Sequence, residues 1–138
     1  MGTVLVVDDS VDTCRVMTQL LARNGHTATC CTNVADAMEK LEALTPDLVI
    51  ADLMMPYESG LDLLKKIRAD GRFAELPVII YSAVSERRYV EDAMASGATD
   101  YWLKGSLRGP DLVTRLAAYF PNNGTGWSEP PGAHPLHA

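Results

Sequence analysis

Five side chains able to do chemistry stand where short apolar runs end. Asp8 and Asp9 follow TVLVV, Asp52 follows LVIA, Ser82 follows VIIY, and Lys104 follows DYWL. If Asp8, Asp9 and Asp52 share one crevice, each pair about 5 Å apart costs about 3 kcal/mol at an effective dielectric near 20. Either one carboxyl is protonated or a cation lies among them. Oxygen-only ligation with open positions suits Mg²⁺, which keeps several waters and accepts phosphate oxygens. Lys104 adds a point charge for a carboxylate or a phosphoryl oxygen. Ser82 adds a hydroxyl that can donate to such an oxygen. These are parts for phosphoryl transfer, where positioning and charge neutralisation provide most of the catalysis. A carboxylate can itself be the nucleophile and form an aspartyl phosphate. Each residue alone has a plainer role: an aspartate at a strand–helix junction caps or turns the chain, Ser82 could do the same, and Lys104 could be a solvated loop lysine. It is the set, delivered by four strands to one edge, that points to phosphoryl chemistry.

The elements that must position this set follow from a pattern switching between two periods. Thr3–Val7 reads as a buried strand, and Val11, Cys14, Met17 and Leu21 then recur at helical spacing until Asn24-Gly25. His26–Cys31 reads as a second strand nearer an edge. Val34, Ala37, Met38, Leu41 and Leu44 form a helical stripe that Pro46 stops. Leu48–Ala51 is a third strand. Ser59 can cap a helix carrying Leu61, Leu64 and Ile67, with Asp62 in its first turn. Pro77 opens a strand at Val78–Tyr81. A helix over about Glu86–Ser96 ends with Gly97 at C′. Asp100–Leu103 is a short strand, and Pro110 suits the first turn of a last helix on which Leu112, Leu116 and Phe120 share a face.

Five strands alternating with five helices predict an α/β fold, a doubly wound five-stranded parallel sheet with helices on both faces. Continuous apolar strands agree, because both faces are covered. With the flavodoxin-like order 2-1-3-4-5, Asp8, Asp9 and Asp52 converge beyond the carboxyl ends of neighbouring strands, where such sheets bind ligands.

The 138 residues suffice for one core without staples, placed at residues 1–120. Residues 121–138, rich in Pro, Gly and Asn, are expected to form a disordered tail. A net charge of −6 argues against a nucleic-acid-binding face. No apolar run approaches the roughly 20 residues that cross a bilayer, and the first residues are not a signal peptide, so a cytoplasmic protein without membrane partners is expected. Cys14, Cys30 and Cys31 lack zinc spacing. Adjacent Cys30 and Cys31 point to opposite faces of a strand and cannot readily bridge, so all three are expected to be core or surface filler.

At VLVVDDS (4–10), DLMMPYESG (52–60), VIIYSA (78–83) and YWLK (101–104) the chain resembles a two-component response-regulator receiver domain, the group that includes the single-domain chemotaxis regulator. The resemblance covers about residues 3–120, and its motifs are specific as an ordered set. It implies that Asp52 is the phosphoacceptor, receiving a phosphoryl group from a phosphohistidine on a sensor histidine kinase or histidine phosphotransfer protein. It implies that Asp9 ligates Mg²⁺ directly, Asp8 mainly through water, and that Asp52 and the Met54 backbone carbonyl complete the protein's ligands. Ser82 and Lys104 would bind phosphoryl oxygens. Tyr101 would be the switch aromatic that turns inward with Ser82, so that the face of the fourth helix, fifth strand and fifth helix changes its affinity for a downstream protein. Pro56 and Gly60 match the loop after the acceptor. Such a chain is no enzyme beyond catalysing its own phosphorylation and dephosphorylation. With no output domain after residue 120, it is expected to act by protein contact or phosphate relay. A homodimer through the fourth-helix to fifth-helix face is also open to it.

Gly105 stands where the family usually has proline after the lysine, so the Lys104–Gly105 bond is expected to be trans, since a non-proline cis bond costs about 2.5–4 kcal/mol. Met54 and Val84 put apolar side chains where water access to the acceptor is decided. Trp102 either helps form a partner surface or packs against the last helix. Two other classes compete with the switch. A phosphate-independent adaptor is disfavoured by the intact five-residue set. A flavin protein or aspartyl-phosphate hydrolase is disfavoured by Asp8-Asp9 after the first strand and by Met54, which breaks a DxD start.

Overall fold

The computed structural model describes residues 2–106 and 109–120; the segment expected to be a tail lies outside them. The elements run β1 (Thr3–Val7), α1 (Val11–Arg23), β2 (Thr27–Cys31), α2 (Val34–Leu44), β3 (Leu48–Ala51), α3 (Gly60–Ala69), β4 (Val78–Ser82), α4 (Arg87–Ala95), β5 (Asp100–Leu103) and α5 (Gly109–Ala117). The strands form one sheet in the order β2-β1-β3-β4-β5, parallel throughout. This is the expected flavodoxin-like architecture.

Strand alternation sorts the core into two layers. Val4, Val6, Leu48, Ile50, Ile79 and Trp102 pack against α1 and α5 through Met17, Leu21, Leu112 and Leu116. Leu5, Val7, Val49, Ala51, Val78 and Ile80 face α2, α3 and α4. Helix starts follow their caps. The Ser10 hydroxyl accepts from Thr13 N–H, and Asn33 accepts from Asp36 N–H. Ser59 and Asp62 make a reciprocal capping box at α3.

Several expectations are corrected. Val11 is exposed, because it opens α1 beyond the sheet edge. On α3 it is Leu63, with Leu64 and Ile67, that is buried, while Leu61 is only partly so, because the helix turns its Leu63 side to the sheet. His26 precedes β2: its N–H bonds to Leu21 O and finishes the α1 turn. Cys14 and Cys30 are not filler; they form a disulfide between α1 and β2, with Cα atoms 5.9 Å apart. The alternation that keeps Cys30 and Cys31 apart aims Cys30 at the α1 layer. Trp102 is buried in the α5 layer and donates from its indole N–H to Asp100 at 2.8 Å, so it offers no partner surface. No cis peptide occurs among the described residues, and Gly105 takes φ +84°, which glycine adopts without strain.

Arg68 ties α3 to the loop before β5. Its guanidinium donates to Gly97 O at 2.9 Å, Phe73 O at 3.0 Å and Thr99 Oγ1 at 3.5 Å. Arg68→Ala removes these charge-assisted bonds and takes from Gly97 O its side-chain donor, while Phe73 O keeps the Leu76 N–H. A loss of about 1.5–3 kcal/mol is expected in urea unfolding, with Arg68→Lys recovering only part, because one ammonium cannot span three acceptors.

His26 is buried, with its ring centroid 4.3 Å from that of Phe120 and Gly2 N–H donating to its Nδ1 at 3.2 Å. Burial pushes its pKa below the usual 6.5, against the pull of Asp47. The folded state therefore prefers the neutral ring, while the unfolded chain takes up a proton near pH 6.5. Stability is intact above that value and falls as pH drops toward the lower folded pKa, by at most about 1.4 kcal/mol per pH unit. Urea midpoints at about pH 7.5 and 5.5 measure this, and His26→Leu is expected to shrink the difference between them.

Candidate functional site: an acidic cluster at the sheet edge

The site begins where the backbone ladder outlasts the strands. Asp8 N–H donates to Cys31 O at 2.9 Å and Asp52 N–H to Val7 O at 2.8 Å, while Lys104 N–H reaches Ser82 O at 2.8 Å. These bonds hold three chemical residues in line with their strands. Alternation continues too: Val4, Val6 and Asp8 fall in one row, Leu48, Ile50 and Asp52 in the next, and Trp102 and Lys104 in the third.

Asp8, Asp9 and Asp52 come together, each offering one carboxylate oxygen within 4.8 Å of the others. Asp8 and Asp52 are buried, whereas Asp9 is exposed. Lys104 Nζ donates to Asp8 Oδ2 at 2.7 Å and to Asp52 Oδ2 at 3.2 Å. The Ser10 amide donates to the other Asp8 oxygen at 2.8 Å. Burial still lifts the Asp8 carboxyl above the usual aspartate range, with the charge of Asp52 adding to it, and Lys104 and Ser10 recover only part. Burial also works against the Lys104 charge, but its bonds to Asp8 and the nearby Asp52 outweigh it and raise its pKa. One ammonium therefore serves two buried carboxylates, a charge arrangement that favours a further cation. All-oxygen donors with an exposed member fit Mg²⁺.

Ser82 is buried at the end of β4, and its hydroxyl accepts from Val84 N–H at 3.2 Å. Tyr101 is half-buried and donates its phenol to Val84 O at 2.6 Å. The two residues expected to act as a switch therefore meet at Val84. Met54, two residues after Asp52, is exposed and Val84 half-buried. Tyr57 is fully exposed with φ +70°.

Gly60 joins α3 to Asp52. Its N–H donates to Leu53 O at 2.8 Å, and an added Cβ would strike the Asp52 carbonyl. Sequence reasoning missed Tyr81, whose ring centroid is 5.8 Å from Lys104 Nζ. The alternation Ile79–Tyr81, set against the row ending in Lys104, was the available signal.

The response regulator receiver domain model matches residues 4–117. Chemotaxis protein CheY1 of Helicobacter pylori is 37% identical over 102 residues, which cover 72% of this chain and 82% of that one. The DNA-binding transcriptional regulator NtrC of Escherichia coli is 41% identical over 100 residues, covering 72% of this chain and 21% of that protein. A hybrid signal transduction histidine kinase of Dictyostelium discoideum is 32% identical over 113 residues, only 7% of its length. The chain thus spans a small part of some curated relatives it matches and most of another. Among solved structures, the chemotaxis protein CheY4 of Vibrio cholerae superposes with a TM-score of 0.81 at 23% identity, over 86% of this chain and 98% of that one, a likeness of fold. The chain belongs to the response regulator receiver domain family, the phosphoacceptor switches of two-component signalling.

Proposed function

We propose that Asp52 is the phosphoacceptor, taking a phosphoryl group from a phosphohistidine on a sensor histidine kinase or a histidine phosphotransfer protein. The observation that carries this is the convergence of Asp8, Asp9, Asp52 and Lys104 at one sheet edge, with Lys104 bonded to two of the three carboxylates. An Asp52 oxygen attacks phosphorus as the donor's P–N bond breaks, and the imidazole leaves with the electron pair. Asp9, exposed, and Asp8, buried, would hold Mg²⁺ with Asp52 and the Met54 carbonyl. When bound, Mg²⁺ supplies positive charge to the phosphoryl oxygens. Lys104 then has a new anionic partner in place of the Asp52 carboxylate. Ser82 offers its hydroxyl to a phosphoryl oxygen, which would loosen its bond with Val84 and with it the Tyr101 contact there.

The α4–β5–α5 face is where that change would be read by a downstream protein, since β5 carries Tyr101 and lies at the sheet edge. Exposed Val11 and Val16 on α1 give a phosphoryl donor an apolar approach near the acid cluster. We place the domain at residues 1–120, in the cytoplasm. Among the described residues no helix is long and apolar enough to cross a membrane. The negative charge favours action by protein contact over nucleic-acid binding, and the α4–α5 face is the surface through which a homodimer would form. The chain is no enzyme beyond acting on its own phosphate.

Acetyl phosphate with Mg²⁺ tests this reading by intact-mass spectrometry. One phosphoryl group is expected per chain, and the gain disappears when EDTA replaces Mg²⁺. No gain with Mg²⁺ present would refute it.

A further inference from the structure

The phosphoryl chemistry uses no cysteine, yet two cysteines lie against it. Cys14 is buried on α1, Cys30 half-buried on β2, and their Cα atoms are 5.9 Å apart, within the range that bridges require. Cys14 Sγ lies 3.4 Å from the backbone oxygen of Asp8, whose N–H is held by Cys31 O. The backbone of this acidic residue is therefore held from β2 through its N–H, while its oxygen lies against the Cys14 sulfur. Cys31, buried in the opposite layer, takes no part.

We propose that Cys14 and Cys30 are a reversible dithiol–disulfide site that locks α1 to β2 beside Asp8 and tightens the acidic cluster's hold on Mg²⁺. The Mg²⁺ half of this rests on the function proposed above. In the dithiol state the Cys14 thiol donates to Asp8 O. In the disulfide that proton is gone; the weak bond to Asp8 O is given up, and a covalent tie joins α1 to β2 instead. The loop carrying Asp9 and Ser10 runs from β1 into α1, so tying α1 to the neighbouring strand removes freedom that metal binding otherwise has to remove. Where thiols are kept reduced, bridges of this kind form and open as signals rather than serve as permanent staples.

The oxidant is a hydroperoxide. The accessible Cys30 sulfur attacks a peroxide oxygen, the O–O bond breaks, and with hydrogen peroxide one water leaves as Cys30 becomes a sulfenic acid. The Cys14 sulfur attacks the Cys30 sulfur, the S–O bond breaks, and a second water leaves. The two thiols lose two electrons and two protons, and the peroxide is reduced to water. An external dithiol reverses the bridge by exchange and is itself oxidised to a disulfide.

The test treats the full chain with hydrogen peroxide or with dithiothreitol, then alkylates and digests it. A peptide linking Cys14 to Cys30 is expected only after oxidation. It should form in Cys31→Ala and vanish in Cys30→Ser. Oxidation should raise the thermal midpoint by about 5 °C or more, as closing a loop of this length implies, and calorimetry should show Mg²⁺ binding about threefold tighter. Absence of the linked peptide, or an unchanged midpoint despite it, overturns the site. Equal Mg²⁺ affinities in the two states overturn the coupling. Failure of both states to bind Mg²⁺ overturns the coupling together with the metal reading, whereas the linked peptide answers for the cysteine pair independently.

Discussion

Asp52→Asn is expected to reduce phosphoryl uptake from acetyl phosphate to background while leaving the protein folded. The amide has no anionic oxygen to attack phosphorus, and neither neighbouring carboxylate takes over, because Asp8 is engaged by Lys104 and Ser10 and Asp9 is exposed at the mouth of the site. Stability should hold. The shorter of the two Lys104 ion pairs, with Asp8 at 2.7 Å, remains, and replacing Asp52 removes one charge from a cluster whose members repel one another. A thermal midpoint within a few degrees of the parent, or above it, is expected. Intact-mass spectrometry reads the first effect and thermal melting the second. Label retained in the variant would place the acceptor elsewhere.

Gly60→Ala should damage both stability and phosphoryl uptake. The added methyl group meets the Asp52 carbonyl and the Leu53 backbone, neither of which is the far end of a flexible side chain. Helix α3 must therefore withdraw, or the acceptor's backbone must move. Either response stretches the Gly60–Leu53 hydrogen bond. Overpacking of this kind costs about 2–3 kcal/mol, and a shift of about 1 Å at the acceptor lowers the rate of labelling by tenfold or more. Gly71→Ala is the control, since nothing lies within 4 Å of its added Cβ; its urea midpoint should match the parent. If Gly60→Ala also matches, the close approach of α3 to Asp52 is not what fixes the acceptor.

Much of this fold was legible because it rests on short-range signals. Unbroken apolar runs marked the strands, and caps such as Ser59 with Asp62 marked helix starts. The edge that carries Asp8, Asp9, Asp52, Ser82 and Lys104 followed from parallel topology. Packing that depends on distant partners was not legible. Leu61 and Leu63 are equally apolar, and only the tilt of α3 on the sheet decides which is covered. Cys14 and Cys30 are paired by the seating of α1 over β2, which no spacing rule encodes. Tyr81 stands beside Lys104 because two rows of different strands end side by side.

Those rows carry a further consequence. The side chains of Asp8, Asp52 and Lys104 continue the α1–α5 side of the sheet, whereas Ser82 and Tyr101 fall on the side of α2, α3 and α4. The sheet is thus a partition one residue thick, with the charges on one side and the Ser82 and Tyr101 hydroxyls, the proposed readout, on the other. On the function proposed above, a phosphoryl group on Asp52 at the rim would touch both. Communication between the sides need not cross the packed interior; it can pass over the edge, along Ser82 and Val84. A slip of one residue in β4 would exchange Ser82 with a neighbour on the other side and, on the function proposed above, leave an Asp52 that takes phosphate but reports nothing.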